Sequence, residues 1–199
     1  MLNSVLFEMF EQDAFDTLRT KEQLGYVVFT FDNAISTILG GSILVHSPQK
    51  HSDYLVQRIN AFIDSQKDRI LNMTDEEFDS YRNSVLAKKK VKDVSLARVA
   101  SRAWEEIYDQ LYMFDRQQKE IDSLETITKE ELIAHYKTLF WNECRRINIK
   151  VKCKKHEEEN EQSIEEGNQK WYSENGFKHC LVDANDLQAF RDIHKMLSR

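Results

Sequence analysis

The chain has 199 residues, 41% hydrophobic and 31% charged, which is enough apolar material for one sizeable core or two small ones and too much for global disorder. A net charge of −6 argues against nucleic acid and against an anionic membrane as main partners. Three cysteines, Cys144, Cys153 and Cys180, are odd in number and widely spaced, so no disulfide framework is indicated and a reducing, cytoplasmic compartment is the default.

Leu2, Val5, Leu6, Met9 and Phe10 recur at helical spacing and predict an amphipathic helix over residues 2–18. The same stretch carries Glu8, Glu11 and Asp13 and no basic segment, so it does not read as a signal peptide. No apolar run approaches the roughly 20 residues that span a bilayer. "GYVVFTF" reads as a strand, and "AISTILGGSILVHS" as one or two more, with Gly40-Gly41 marking a bulge or tight turn. Two neighbouring strands after a helix predict an antiparallel pair, because a parallel pair needs a longer crossover.

Ser47-Pro48 is the expected opening of the next helix, whose stripe is Leu55, Ile59, Phe62, Ile63 and Ile70. "MTDEEF" sets Thr74 three residues before Glu77, a capping box, and predicts a helix from Asp75 to about Val91. Its acids fill the first turn and Lys88, Lys89 and Lys90 the last, which suits the helix dipole. "VSLARVASRAWEEIYDQLYMF" predicts a helix with Leu96, Val99, Ala100, Ala103, Trp104, Ile107 and Leu111 on one face. Thr128 and Glu131 repeat the capping box and open a short helix through "LIAHYKTLF". Ile147, Ile149 and Val151 alternate with polar residues and predict a half-buried strand. The charged stretch that follows, taken as residues 154–170, reads as a surface loop or disordered insert. "LVDANDLQAFRDIHKML" predicts a terminal helix capped near Asp183 or Asn185. The order of elements gives an α+β class, with several helices layered on one antiparallel sheet.

Few motifs carry chemistry. A zinc-peptidase helix needs two His on one face beside a Glu, as His-Glu-x-x-His or His-x-x-Glu-His, and neither occurs. Cys153, His156, His179 and Cys180 are the one conceivable zinc set, but the adjacent His179 and Cys180 cannot easily reach one tetrahedral ion. Coincidence outweighs metal there, and inert thiols outweigh a nucleophile at Cys144 and Cys180. No glycine-rich phosphate cradle is present. "KKKVK" at 88–92 is explained by a solvated helix end, and the row Trp104, Tyr108, Tyr112 by core and core edge rather than a binding platform.

One segment stands apart: "FDTLRTKEQLGYVVF", residues 15–29. Arg19 falls at the end of a helix and Tyr26 at the start of a strand, with Gly25 permitting a turn or close approach between them. A guanidinium fork and a phenol converging on one spot can hold a developing oxyanion. Physics alone favours the plainer reading, an Arg capping helix carbonyls and a Tyr at a sheet rim.

The segment closely resembles the one that opens the last domain of insulysin-type peptidases, the group of the pitrilysin family that includes insulin-degrading enzyme and nardilysin. "LRTKEQLGY" carries the likeness, and "SDYLVQRINAFI", "MTDEEF", "YMFDRQQKEIDSLETITKEELIAHYKTLF" and "FRDI" continue it in order. The resemblance implies a long enzyme of four homologous α+β domains whose two halves close around a chamber. It implies zinc in the first domain, on His-x-x-Glu-His with a distal Glu. It assigns Arg19 and Tyr26 to contact with the substrate backbone at the scissile bond; Lys21, Glu22 and Gln23 match the pattern without an arguable role. This chain lacks the zinc motif and the room for three further domains. Its expected organisation is 1–153 as an insulysin-type C-terminal domain, 154–170 as the insert and 171–199 as an extension with the terminal helix. No catalytic residue, metal ligand or cofactor is expected in this chain, which is expected to be inactive alone. The expected partners are a peptide substrate and the N-terminal zinc-bearing half or a full-length homologue, with no nucleic acid and no membrane. The alternative is a non-catalytic peptide-binding or interaction module of the same fold. A domain separated from its neighbours should also expose an apolar face, expected partly on the first helix around Leu2, Leu6 and Phe10.

Overall fold

The computed structural model describes residues 1–35, 38–142, 146–151 and 161–174. In chain order these form helix α1 (Leu2–Ala14), a π-helical segment (Phe15–Lys21), strands β1 (Val27–Ile35) and β2 (Ile38–His46), and helices α2 (Ser52–Leu71), α3 (Asp75–Lys90), α4 (Leu96–Tyr108), α5 (Arg116–Thr126) and α6 (Lys129–Lys137). A second π-helical segment (Thr138–Asn142) and helix α7 (Glu161–Glu174) follow. β1 and β2 pair antiparallel, from Val27 opposite His46 to Ile35 opposite Ile38. The α+β class with an antiparallel sheet is as the sequence predicts.

The core forms around α1. Its Val5, Leu6, Met9, Phe10 and Ala14 are all buried. The Phe10 ring meets Phe7 at 5.5 Å, Phe62 of α2 at 6.0 Å, Tyr136 of α6 at 6.5 Å and Phe140 at 5.2 Å, all edge-on. Edge-to-face contacts of this kind add to the burial of each ring. On the sheet, Val28 and Thr30 turn inward and are buried, opposite Val45 and Ile43. Phe29, Phe31 and Leu44 occupy the other register and are exposed. Gly41 sits inside β2, where a Cβ would lie 1.8 Å from the Phe7 ring. Gly40 and Gly41 therefore do not make a bulge or turn; they lie in regular register, and Gly41 makes room for α1.

Local chemistry sets most helix starts. Both capping boxes form, Thr74 with Glu77 and Thr128 with Glu131. α2 starts later than expected. Ser47 Oγ accepts from the N–H groups of Gln49 and Lys50 in a turn, and His51 caps the helix by accepting from Asp53. Asn3 is buried and ties three elements: its amide donates to the Gly40 carbonyl at 2.6 Å, and its oxygen lies 3.4 Å from His135 Nε2 on α6.

Four expectations are corrected. The first helix is not the exposed apolar face, because Leu6 and Phe10 are fully buried under the sheet and α2. The row Trp104, Tyr108, Tyr112, expected at the core and its edge, is exposed, as is the apolar side of α4. Leu96 is 84% and Trp104 65% exposed, and Val99 and Ile107 are exposed too. α4 is fastened by polar groups on its other side: buried Glu106 takes two bonds from Arg116, and Arg102 pairs with Asp93 at 2.7 Å. Residues 146–151 are not a half-buried strand; they pair with no described strand, and Ile147, Ile149 and Val151 face solvent. Part of the stretch expected as a charged loop is helical, as α7. Its Tyr172 is buried, the Asn168 amide donates to the Asp53 carbonyl, and the Trp171 indole N–H donates to Asp64 at 2.6 Å. The predicted terminal helix near Asp183 and Asn185, and the residues Cys144, Cys153, His156, His179 and Cys180, lie outside the described residues. Among the described residues, no helix is long and apolar enough to cross a membrane.

Phe10→Ala is expected to cost about 3–5 kcal/mol in urea denaturation, as a buried aromatic truncation does, whereas Trp104→Ala is expected to stay within about 0.5 kcal/mol of wild type. His135 supplies a pH dependence. Burial, and secondarily the nearby N-terminal ammonium, lower its pKa. The unfolded chain then binds the extra proton first, so stability is present above the ordinary His range near pH 6.5 and falls as pH drops below it. Between pH 7.5 and 5 the denaturation midpoint of the wild type should fall by more than that of His135→Asn, which lacks the titrating group.

Candidate functional site

The turn from α1 to β1 is built from both ends inward. α1 widens into a π-helical segment at Phe15, with the Glu22 N–H reaching the Thr17 carbonyl at 2.9 Å. Such widenings are frequent at functional sites. Leu18 and Leu24 are buried and pin the two ends of the turn. Between them Gln23 adopts φ 50°, a left-handed conformation uncommon outside glycine. Gly25 then presses against the end of β2, where a Cβ would lie 2.1 Å from the His46 carbonyl oxygen. Only glycine fits that approach, and it delivers Tyr26 at the rim of the sheet.

The guanidinium of Arg19 lies 4.7 Å from the Phe15 ring centroid and 5.1 Å from that of Tyr26. A cation stacked on two ring faces is oriented without being neutralised. Tyr26 is 78% exposed and Phe15 is also at the surface. Among the described residues no carboxylate lies within ion-pair distance of Arg19. Glu22, three residues further on, is committed elsewhere. Arg58 of α2 donates to it through Nε at 2.7 Å and Nη2 at 2.6 Å, a two-pronged pair. These bonds, against a smaller desolvation cost, push the Arg58 pKa further up. Arg58 thus takes up the local negative charge and ties the turn to α2, while Arg19 keeps its positive charge and its donors.

The structure brings the two predicted residues together. Arg19 and Tyr26 share one solvent-facing corner that presents N–H and O–H donors and can hold a carbonyl, a carboxylate or an oxyanion. Lys21 and Gln23 are exposed. Sequence reasoning missed Phe15 and Arg58. Phe15 stands four residues before Arg19, the spacing at which helical side chains meet, and was legible. Arg58 lies 36 residues from Glu22 and has no local signal. Among the described residues no three His, Cys, Asp or Glu side chains converge as metal ligands.

Helices layered on an antiparallel hairpin, with this turn at the rim, make up the α+β domain. Residues 5–104 match the family described as PQQ synthase PqqF-like, C-terminal lobe domain 4, and the chain belongs to this pitrilysin-type metallopeptidase family as a C-terminal domain. It is 35% identical over 147 residues to a nardilysin-like protein of Arabidopsis thaliana, covering 72% of this chain and 14% of that protein. It is 34% identical over 139 residues to the insulin-degrading enzyme of Homo sapiens, covering 70% of this chain and 14% of that enzyme. Human nardilysin is 33% identical over 138 residues, 68% of this chain and 12% of that protein. The crystal structure of pitrilysin superposes with a TM-score of 0.60 at 24% identity, over 68% of this chain and 14% of that one, and bears out the fold. The chain therefore spans about one seventh of the first two relatives' length.

Gly25→Ala is expected to force β1 away from His46 and to cost about 1–3 kcal/mol by thermal denaturation, the range for overpacking. Gln23→Gly is expected to hold or raise the melting temperature, because it relieves the left-handed strain.

Proposed function

We propose that this chain is the substrate-clamping C-terminal domain of an insulysin-like zinc metalloendopeptidase, helping to bind peptide in an enclosed chamber and inactive by itself. One observation carries the reading: Arg19 is held between two rings with its charge uncompensated, beside the exposed phenol of Tyr26. In this reading the Arg19 N–H groups and the Tyr26 O–H donate to the scissile carbonyl. They hold the negative charge that develops on its oxygen, where preoriented donors act most strongly. Phe15 and the buried Leu18 keep the guanidinium in place, and Glu22 with Arg58 keeps the turn on α2.

The zinc belongs to the partner. No ligand set among the described residues fits a metal, and no step through zinc is assigned to this chain. Its part is to bind and orient the peptide and to stabilise charge. The partner in this proposal is an N-terminal zinc-bearing half or a full-length homologue, and the setting is cytoplasmic. The printed names of the relatives, insulin-degrading enzyme and nardilysin, support a peptide as the ligand class.

The test is complementation. The chain is mixed with a zinc-bearing N-terminal half, and cleavage of a quenched fluorescent peptide is followed. Wild type is expected to restore cleavage. Tyr26→Phe and Arg19→Ala are expected to lower kcat/KM by about 10²–10³-fold, as removal of one oxyanion donor does, without loss of complex by sedimentation. Complexes that form and cleave at the wild-type rate with both variants overturn the assignment.

A further inference from the structure

Helix α4 is attached by one side and bare on the other. Buried Glu106 accepts from Arg116 and from the Met113 N–H, while Arg102 pairs with Asp93 and donates to Gln117. The other side carries Leu96, Val99, Ala100, Ala103, Trp104 and Ile107, a row at helical spacing. Leu96 is 84%, Trp104 65% and, beside them, Tyr108 79% exposed. The row runs on into the loop after α4 through Leu111 and Tyr112, both exposed. That loop is stiff. The Glu106 carbonyl accepts from the N–H groups of both Leu111 and Tyr112 at 3.1 Å. Tyr112 sits at φ 53°, a left-handed conformation rare for an aromatic residue. Such a conformation persists only where the surroundings over-determine it. Leu111 and Tyr112 are therefore presented in a fixed place, which lowers the ordering cost of an encounter.

The extent of this face matches an interface between two protein surfaces. An aromatic side chain has about 150–250 Å² to bury, so Trp104, Tyr108 and Tyr112 at their exposures offer on the order of 400 Å². Leu96, Val99, Ile107 and Leu111 bring the face to roughly the 800 Å² that each partner gives to a standard interface. The largest apolar patch of a typical monomer is smaller, about 300–600 Å². No charge interrupts the row: Arg98, Glu105 and Asp109 fall on the far side of the helix by helical spacing.

The shape of the row selects the occupant. Its two small residues, Ala100 and Ala103, stand in the middle, with Leu96 at one end and Trp104, Ile107 and Leu111 towards the other. A two-fold axis between Ala103 and Trp104 sets two α4 helices antiparallel. Ala103 then lies opposite the second copy's Trp104, Ala100 opposite its Ile107, and Leu96 opposite its Leu111. Each small side chain takes a large one, and the two helix dipoles oppose. A dissimilar surface would require no such match of the row with its own reverse. Two-fold homodimer interfaces do require it, since one patch meets itself, and they are more apolar than transient ones. We propose that α4 and the loop after it form a two-fold interface between two copies of this chain. The area supports the same occupant, because two such faces together supply a full standard interface. This surface is independent of Arg19 and Tyr26, which belong to the turn between α1 and β1.

The test is sedimentation velocity on the full chain with no zinc-bearing half present, so its outcome does not depend on the complementation assay. Wild type is expected to be dimeric at micromolar concentration and to dissociate on dilution. Leu96→Ser with Ile107→Ser is expected to raise the dissociation constant at least tenfold, and so is Trp104→Ala, which leaves the fold of the single chain intact. Ala103→Glu is expected to leave a monomer, because it sets two carboxylates beside the two-fold axis. Glu105→Lys, on the far side of α4, is expected to dimerise like wild type. Melting temperatures taken at dilutions where the monomer prevails should agree among all five proteins. Benzoylphenylalanine in place of Tyr108 is expected to cross-link to residues 96–100 of the other copy, read by mass spectrometry on mixed isotopes. A monomer at every concentration overturns the proposal, as does a dimer that survives Ala103→Glu or cross-links that land outside α4. A monomer that binds phosphatidylserine vesicles through Leu96 and Ile107 also overturns it, by making a lipid surface the occupant.

Discussion

The structure depends on the burial of one helix, and within it on one ring. Phe10 touches aromatic side chains from its own helix, from α2, from α6 and from the segment after α6. Elements distant in sequence are thereby brought to one point, and the sheet closes over α1 through Val28, Thr30, Ile43 and Val45. The turn that carries Arg19 is a direct continuation of α1. Its position is therefore inherited from the best-packed part of the molecule. A donor pair meant to meet a ligand from outside gains from a rigid support, because little ordering remains to be done on binding.

Electrostatics at the turn is a matter of allocation. Three charged residues, Arg19, Lys21 and Glu22, fall within four positions, and local pairing would have cancelled most of their field. Arg58 reaches in from α2 and occupies both oxygens of Glu22. Arg19 is steered by ring faces, which orient a cation yet leave its donors unspent. The same logic of inward and outward assignment recurs at 146–151, with the opposite result. There the polar side chains are consumed by α2 and Tyr172, and the apolar ones remain outside.

What the sequence made legible follows the range of the interaction. The capping boxes at Thr74 and Thr128 are satisfied within three residues, and both were readable. So were α1, the antiparallel hairpin and the corner that joins Arg19 to Tyr26. Periodicity identified the apolar side of α4 and of 146–151, but it cannot state whether anything covers an apolar side. Both proved open, since no described element lies against them. α7 escaped because its anchoring is polar and distant: Asn168 finds Asp53 and Trp171 finds Asp64 more than a hundred residues away. Arg58 escaped for the same reason at shorter range. The family likeness was legible because "LRTKEQLGY" concentrates a buried leucine anchor, a tight glycine contact and two donors in nine residues.

Two glycines bracket the hairpin, and together they act as a key for its register. Gly41 lies under the Phe7 ring and Gly25 against the His46 carbonyl, each where a Cβ cannot fit. A two-residue slide of β2 would preserve which face each side chain occupies, and so would escape the usual penalty for misregister. It would also drive Leu39 or Ile43 into the space held by the Phe7 ring. The two described strands can thus pair in one alignment only. Gly25 immediately precedes Tyr26, so the place of Tyr26 at the corner is encoded partly by a residue that has no side chain to offer.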